Sequence, residues 1–289
     1  MVERGGASTE VERLLGLGWD AGSVGPLIDG VRVAGGQVEV DYPEGGLETL
    51  GLDGGSGYWF DHRANQVVDA LKAASNASSI WDVGAGTGSM VKRLTDAGYA
   101  VVAVEPLPDG ARVIAQLGCD AVFCGSLEQL SLPDDCLAAV GLFDVIEHIG
   151  DPAPLITEVR RVLEPGGVAA VTVPALRSLW SDEDEVAGHH RRYRRKDLDG
   201  FMGEHGFSRV SSQYIFACLV VPAVVLRAVP YRLGRRRSAA RVMATEAGQL
   251  APSTSVDRVM RGVLELERSA AKRVRLPVGL SVMGIYRRD

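Results

Sequence analysis

The sequence predicts an α/β fold: a mostly parallel sheet wound with helices on both faces. Three observations carry this. Short apolar runs alternate with amphipathic segments between Tyr58 and Phe216. A glycine-rich turn, Gly84-Ala85-Gly86-Thr87-Gly88, separates the first apolar run from the segment after it. No internal repeat or low-complexity tract breaks the alternation. Strands separated by helices run parallel, because each crossover returns the chain to the same end of the sheet.

Residues 59–71 place Phe60, Val67, Val68 and Leu71 on one helical face. Strands follow at 79–83, 99–105, 121–124, 137–144, 167–174 and 209–216. Helices follow at 89–97, 109–117, 152–163 and 195–205. Residues 217–275 read as helical and Arg-rich, most clearly over 256–274, and 280–287 reads as a last strand. Two late strands parted by a helical stretch suit one antiparallel strand near the sheet edge. Ahead of the alternation, Val31 and Val33, a Gly35-Gly36 turn, and Val38 and Val40 read as a β-hairpin. The expected organisation is an N-terminal appendage at 1–57 and a main domain at 58–289, with a helical insertion at 217–275.

The 289 residues, 46% hydrophobic and 24% charged, have the composition of a globular protein rather than a disordered chain. Net charge is −6, which disfavours a general nucleic-acid binder, since phosphate neutralisation needs excess cations. Cys119, Cys124, Cys136 and Cys218 form no Cys-x-x-Cys pair and suit reduced thiols. The first residues lack the apolar core of a signal peptide, and the longest apolar stretch, 215–226, is too short to span a bilayer. A cytoplasmic location is expected.

Glycines between a strand and a helix let the backbone turn sharply and approach a ligand, while the helix N-terminus offers free N–H groups. The spacing here is Gly-x-Gly-x-Gly, not the Gly-x-Gly-x-x-Gly of a dinucleotide site. Glu105 ends the next strand, where an acid accepts hydrogen bonds from both hydroxyls of a ribose.

Asp82-x-Gly84-x-Gly86-x-Gly88 with Glu105 resembles the class I S-adenosylmethionine-dependent methyltransferases. Phe143-Asp144-Val145-Ile146-Glu147-His148-Ile149 resembles that family's fourth-strand motif. Leu163-Glu164-Pro165-Gly166-Gly167 resembles its turn into the fifth strand. The segments Trp180-Ser181, Gly188-His189-His190-Arg191-Arg192-Tyr193 and Leu276-Pro277-Val278-Gly279-Leu280-Ser281 are similar to a bacterial subgroup acting on glycans, lipids and natural products. The likeness covers residues 58–289. It implies a Rossmann-like seven-stranded sheet, mostly parallel with one antiparallel strand, and S-adenosyl-L-methionine as cofactor. Carried over residue by residue, Gly84, Ala85, Gly86 and Gly88 line the methionine and ribose. Asp82 holds the amino group, Glu105 binds the ribose diol, and Pro106 and Leu107 flank the adenine. Ser126, beside Leu127, stands where many relatives have an Asp that binds the adenine amino group. Phe143 and Asp144 close over the sulfonium end.

A hydroxyl acceptor needs a base, and histidine suits that role near neutral pH. His148, after the fourth strand, and His189, in the segment after the fifth, are the candidate bases. The bland alternative for His148 is a helix-start residue near Asp151. His205 reads as a helix cap and His62 as a surface or lid residue. Trp59, Trp180, His190, Arg192 and Tyr193 are candidate acceptor contacts. Glu147 with Asp144 is the one pair that suggests a metal, but few oxygens converge there, so no metal is expected.

Asp182, Glu183, Asp184 and Glu185 read as a solvated face, and Arg191, Arg192, Arg194, Arg195 and Lys196 as binders of a phosphate-bearing or acidic acceptor or as partners of those acids. The 215–237 stretch, apolar then basic, suits a core-packed or dimer-forming helix, or contact with an anionic membrane. The expected activity is methyl transfer to a hydroxyl, less readily an amine, of a small molecule such as a sugar, glycan precursor or secondary metabolite. The alternative is a non-catalytic S-adenosylmethionine-binding regulatory or assembly protein. The Gly-x-Gly-x-Gly spacing argues against a nicotinamide dehydrogenase.

Overall fold

The computed structural model describes residues 7–35, 57–119, 121–250 and 254–289. One sheet of nine strands organises them. The strands are β1 (Leu27–Ile28), β2 (Val31–Val33), β3 (Ser79–Val83), β4 (Ala100–Glu105), β5 (Ala121–Cys124), β6 (Leu137–Phe143), β7 (Leu163–Pro174), β8 (Phe207–Ile215) and β9 (Ser281–Arg288). Their spatial order is β1-β2-β5-β4-β3-β6-β7-β9-β8.

The seven strands from β5 to β8 are the seven expected, and β9 runs antiparallel to both β7 and β8. The expected count of seven is nevertheless too small, because β2 pairs parallel with β5. Without it β5 would present an open edge of unpaired N–H and C=O groups. The N-terminal hairpin is also differently placed. β1 pairs antiparallel with β2. Asp29 and Gly30, both at positive φ, form the two-residue turn between them. Val38 and Val40, expected as the second arm, lie outside the described residues.

Helices cover both faces: α1 (Ala7–Gly16), α2 (Ala21–Val24), α3 (Tyr58–Ala74), α4 (Ser89–Asp96), α5 (Pro108–Gln116), α6 (Ala153–Val162), α7 (Asp182–Val186) and α8 (Arg195–Glu204). Because neighbouring residues on a strand point to opposite faces, a doubly covered sheet is apolar at every position. β4 shows it: Val102 and Val104 join one hydrophobic cluster, Val101 and Ala103 the other. The N-terminal segment packs on the first cluster, where Trp19 meets the edge of Trp81 and donates its ring N–H to the Leu130 carbonyl at 2.9 Å.

After β8 the chain runs through α9 (Val220–Ala223), a π-helical turn (Val224–Ala228), α10 (Val229–Arg232), α11 (Ala239–Leu250) and α12 (Thr254–Ala271). Pro222 does not break this run. It lies in the first turn of α9, where its missing N–H would have no intrahelical acceptor. No helix of the described residues is long and apolar enough to cross a membrane.

From β3 the chain first builds one side of the sheet through β4 and β5, then the other through β6 and β7. Ligands bind at such a switch point, beyond the carboxyl ends of the strands.

Candidate active site

A cavity of about 600 Å³ opens at the switch point. Its walls come from the ends of the central strands: Val83-Gly84 after β3, Glu105 at the end of β4, Phe143-Asp144 after β6 and Pro174 at the end of β7.

The glycine turn forms one end. Gly84, Gly86 and Gly88 all have positive φ. A Cβ on Gly84 would stand 2.7 Å from Val145 Cγ2, and one on Gly88 would stand 2.7 Å from Leu117 Cδ1. A Cβ on Gly86 would meet nothing within 4 Å among the described residues. Gly84, Ala85 and Gly86 therefore line the cavity, while Gly88 does not and serves the packing of α4 and α5.

The Glu105 carboxylate accepts the Gly86 N–H at 2.7 Å and the Leu107 N–H at 2.8 Å. Burial pushes its pKa up to about 7, against the lowering effect of those two bonds. Asp82 lies beneath the turn rather than on the cavity wall. It is almost wholly buried, and neither carboxylate oxygen has a hydrogen-bond partner among the described residues. Burial raises it to about 7, with Arg63 opposing and Glu105 reinforcing the shift. Pro106, Leu107, Ser126 and Leu127 complete this end. The Ser126 N–H donates to Gln129 Oε1 at 2.9 Å.

Asp144 marks the middle of the cavity. It sits at φ +58°, accepts the Thr172 hydroxyl at 3.1 Å and is ion-paired with the buried Arg63. Arg63 was not anticipated. It lies one helical turn beyond Trp59 on α3, so both reach the cavity from one face. Trp59 stacks on Phe216 with ring centroids 3.9 Å apart.

The far end holds Glu147, His148, Asp184, His189 and Arg192. Ser181 and Asp184 form a capping box on α7: Asp184 Oδ2 accepts the Ser181 N–H at 2.9 Å. Its Oδ1 accepts His189 Nδ1–H at 2.9 Å and Arg192 Nε–H at 2.6 Å. Burial works to raise Asp184, but the bonds and charges of His189 and Arg192 outweigh it and hold the carboxyl below its usual range. A carboxylate on Nδ1 fixes the proton there and leaves Nε2 of His189 as the acceptor.

His148 lies edge-on to His189, ring centroids 4.7 Å apart. Burial, reinforced by His189, lowers it to about 4. Glu147 is fully buried and both its oxygens lack a hydrogen-bond partner among the described residues. Burial and the nearby Asp144 push its pKa well above the carboxylate range. Glu147, His148 and His189 each bring one atom capable of metal ligation, all within 4.8 Å of one another.

Three expected acceptor contacts are elsewhere. Trp180 is off the cavity wall. His190 is exposed, with its N–H on the Glu147 carbonyl at 2.8 Å. Tyr193 is buried in the core, where its backbone bridges Ala175. His62 is not at the surface: it is buried, with Nε2 3.4 Å from Glu267. His205 caps α8 through the Phe201 carbonyl, as read from the sequence.

The acidic run is not a solvated face either. Asp182, Glu183 and Asp184 are buried. Of the expected partners, Arg192 alone is ion-paired with them among the described residues. The others are Arg227, Arg236 and Arg237 from the late helical segment.

A family model described as a methyltransferase domain matches residues 81–171. An uncharacterized methyltransferase of Mycobacterium tuberculosis is 38% identical over 124 residues, which is 43% of this chain and 47% of that protein. The chain thus spans about half the length of the curated relatives it matches first. Among solved structures, an S-adenosylmethionine-dependent methyltransferase of Archaeoglobus fulgidus superposes with TM-score 0.51 at 17% identity, covering 79% of this chain and 94% of that one. The cyclase SpnF superposes with TM-score 0.50 at 18% identity, covering 79% and 80%. The chain has the fold these structures share.

Proposed function

We propose that this chain is an S-adenosylmethionine-dependent methyltransferase acting on a hydroxyl of a small molecule, such as a sugar, glycan precursor or secondary metabolite. One observation carries the reading. A single cavity joins the glycine turn and Glu105 at one end to a carboxylate-oriented histidine at the other.

The cofactor end fits S-adenosylmethionine on the chain's own atoms. Gly86 leaves open space where a side chain would stand, and Glu105 offers a carboxylate to a ribose diol. The buried Asp82 carboxylate, beneath the turn, has no donor among the described residues, and an ammonium group in the cavity would supply one through water. When bound, the cofactor supplies a methyl group activated on a sulfonium. The protein must then align the acceptor and exclude water. Trp59 and Phe143 offer apolar walls for this, and the Arg63–Asp144 pair fixes the wall between the two ends.

The acceptor end supports a hydroxyl more than an amine. A neutral amine needs no proton removed before attack, whereas a hydroxyl does. His189 is our choice of base over His148. Asp184 fixes its proton on Nδ1, leaving Nε2 to accept the hydroxyl proton, and the same carboxylate stabilises the imidazolium that forms. His148, lowered to about 4 by burial, is a weaker proton acceptor and contributes a neutral wall. Arg192 and Glu147 are polar groups for a hydroxylated acceptor to meet.

Two measurements test this. Calorimetry should show binding of S-adenosylmethionine and of its demethylated product, and labelled cofactor should pass its methyl to a hydroxylated acceptor. Failure to bind either cofactor form overturns the reading. Binding with no transfer to any acceptor would leave a cofactor-binding regulatory or assembly protein on the same fold.

A further inference from the structure

The late helical segment has two faces. Inward, Ala223 and Arg227 line the cavity and Ala228 is buried. Outward, Val221, Val225, Leu226, Val229 and Leu233 are 41–71% exposed. The α12 helix repeats the pattern. Leu264 and Glu267 are buried and Met260 packs on the core, while Val256, Val259, Val263 and Leu266 face out. The two elements are tied together, because the Glu267 carboxylate accepts the N–H of Phe216 at 2.6 Å and of Cys218 at 3.0 Å. Single exposed apolar side chains are ordinary; nine on one cap are not.

The same cap is basic. Residues 217–275 hold twelve Lys and Arg against four Asp and Glu, in a chain whose net charge is −6. Part of that charge clamps the cap to the acidic body: Arg236 and Arg237 on Asp182, Arg261 on Asp61, Arg268 on Asp69. Arg235, Arg258, Arg273 and Arg275 are exposed and meet no acidic side chain among the described residues. Along the chain they are interspersed with the outward apolar residues: Arg235 after Leu233, Arg258 between Val256 and Val259, and the other two around the exposed Val274.

We propose that this cap seats the protein on an anionic lipid surface. Exposed apolar side chains interspersed along the chain with arginines that meet no acidic side chain among the described residues match the boundary between acyl chains and negative headgroups. The net negative charge of the remaining chain is repelled by the same surface, so only the cap side faces it. A second copy is a poor occupant, since it would bring two basic caps together. The helices lie on the surface and do not enter it, as none among the described residues is long enough to cross. This proposal is independent of the catalytic reading.

The experiment is co-sedimentation of the full chain with vesicles of phosphatidylcholine alone or enriched in phosphatidylglycerol. The protein should pellet with the anionic vesicles, stay largely soluble with the neutral ones, and be released as salt rises. The triple variant Val221→Ser, Leu226→Ser, Leu233→Ser should weaken binding by about tenfold or more. Arg235→Glu with Arg273→Glu should remove the preference for anionic lipid. All five positions are exposed, so melting temperature and cofactor binding should not change and serve as controls for folding. Equal behaviour with both vesicle types, or wild-type binding by the serine variant, overturns the proposal. So does a dimer in solution that the serine variant splits, since a second copy would then cover the face.

Discussion

His189 is where one side chain should decide turnover without deciding binding. It is far from the glycine turn but shares its cavity, and its orientation depends on Asp184. His189→Gln should lower kcat by about 100- to 10,000-fold, the usual worth of a positioned base. The dissociation constant for S-adenosylmethionine should not move. Equal loss of kcat in His148→Gln and none in His189→Gln would return the role to His148. Glu147 carries a second residue-scale prediction. Asp144, its expected partner at a metal, is ion-paired with Arg63, so few carboxylate oxygens converge there. Activity should therefore survive dialysis against a chelator. A loss restored by one divalent metal would make Glu147, His148 and His189 its ligands.

At the scale of elements, Gly86 and Gly88 separate binding from packing. Gly88→Ala places a Cβ against Leu117 and Ile114 at positive φ, and should cost about 1–3 kcal/mol of stability with a matching fall in melting temperature. Gly86→Ala meets no neighbour, so its stability cost should be smaller. Its Cβ enters the cavity instead, and calorimetry should show weaker cofactor binding. This turn was legible from the sequence because everything it needs is local: a strand, three glycines, a helix, and an acid one strand later. The α7 acids were not. Glu183 is buried by Arg227 and Arg237, whose partners lie more than forty residues away along the chain. No window on residues 182–185 contains that information. The β1–β2 turn was missed differently: Asp29-Gly30 is a proper hairpin signal, but the Gly35-Gly36 pair nearby competes with it. Glu183→Gln should remove the buried anion that Arg227 and Arg237 share, leaving Arg237 on Asp182, and cost about 1–3 kcal/mol, loosening the cap before the sheet. Hydrogen exchange that rose equally in the cap and in β3–β6 would show that the cap is not a separate unit.

The whole molecule carries a pH signature set by its buried acids. Asp82 and Glu105 have folded pKa values of about 7, and Glu147 is raised well above its ordinary value. All three ionise near pH 4 once unfolded. Below its folded pKa each keeps a proton that the unfolded chain has released, so the contribution is full below about pH 4 and, for Asp82 and Glu105, is lost as pH rises through about 7. His148 works against them. Its folded pKa is about 4 against an unfolded value near 6.5, so its term favours the fold as pH rises across that interval. Asp184, Glu267 and Asp257, all held below their usual range, lose their contribution only as pH falls below about 4. Three carboxyls outweigh one imidazole, so the ligand-free protein should lose stability from pH 5 to pH 7, on the order of 1 kcal/mol per pH unit. Bound S-adenosylmethionine should flatten that slope, because an ammonium near Asp82 and a ribose diol on Glu105 favour their ionised forms in the folded state. The same linkage requires the cofactor to bind more tightly as pH rises through about 7. Thermal unfolding at several pH values, with and without cofactor, measures both effects. A slope that the cofactor leaves unchanged would mean that it binds away from Asp82 and Glu105.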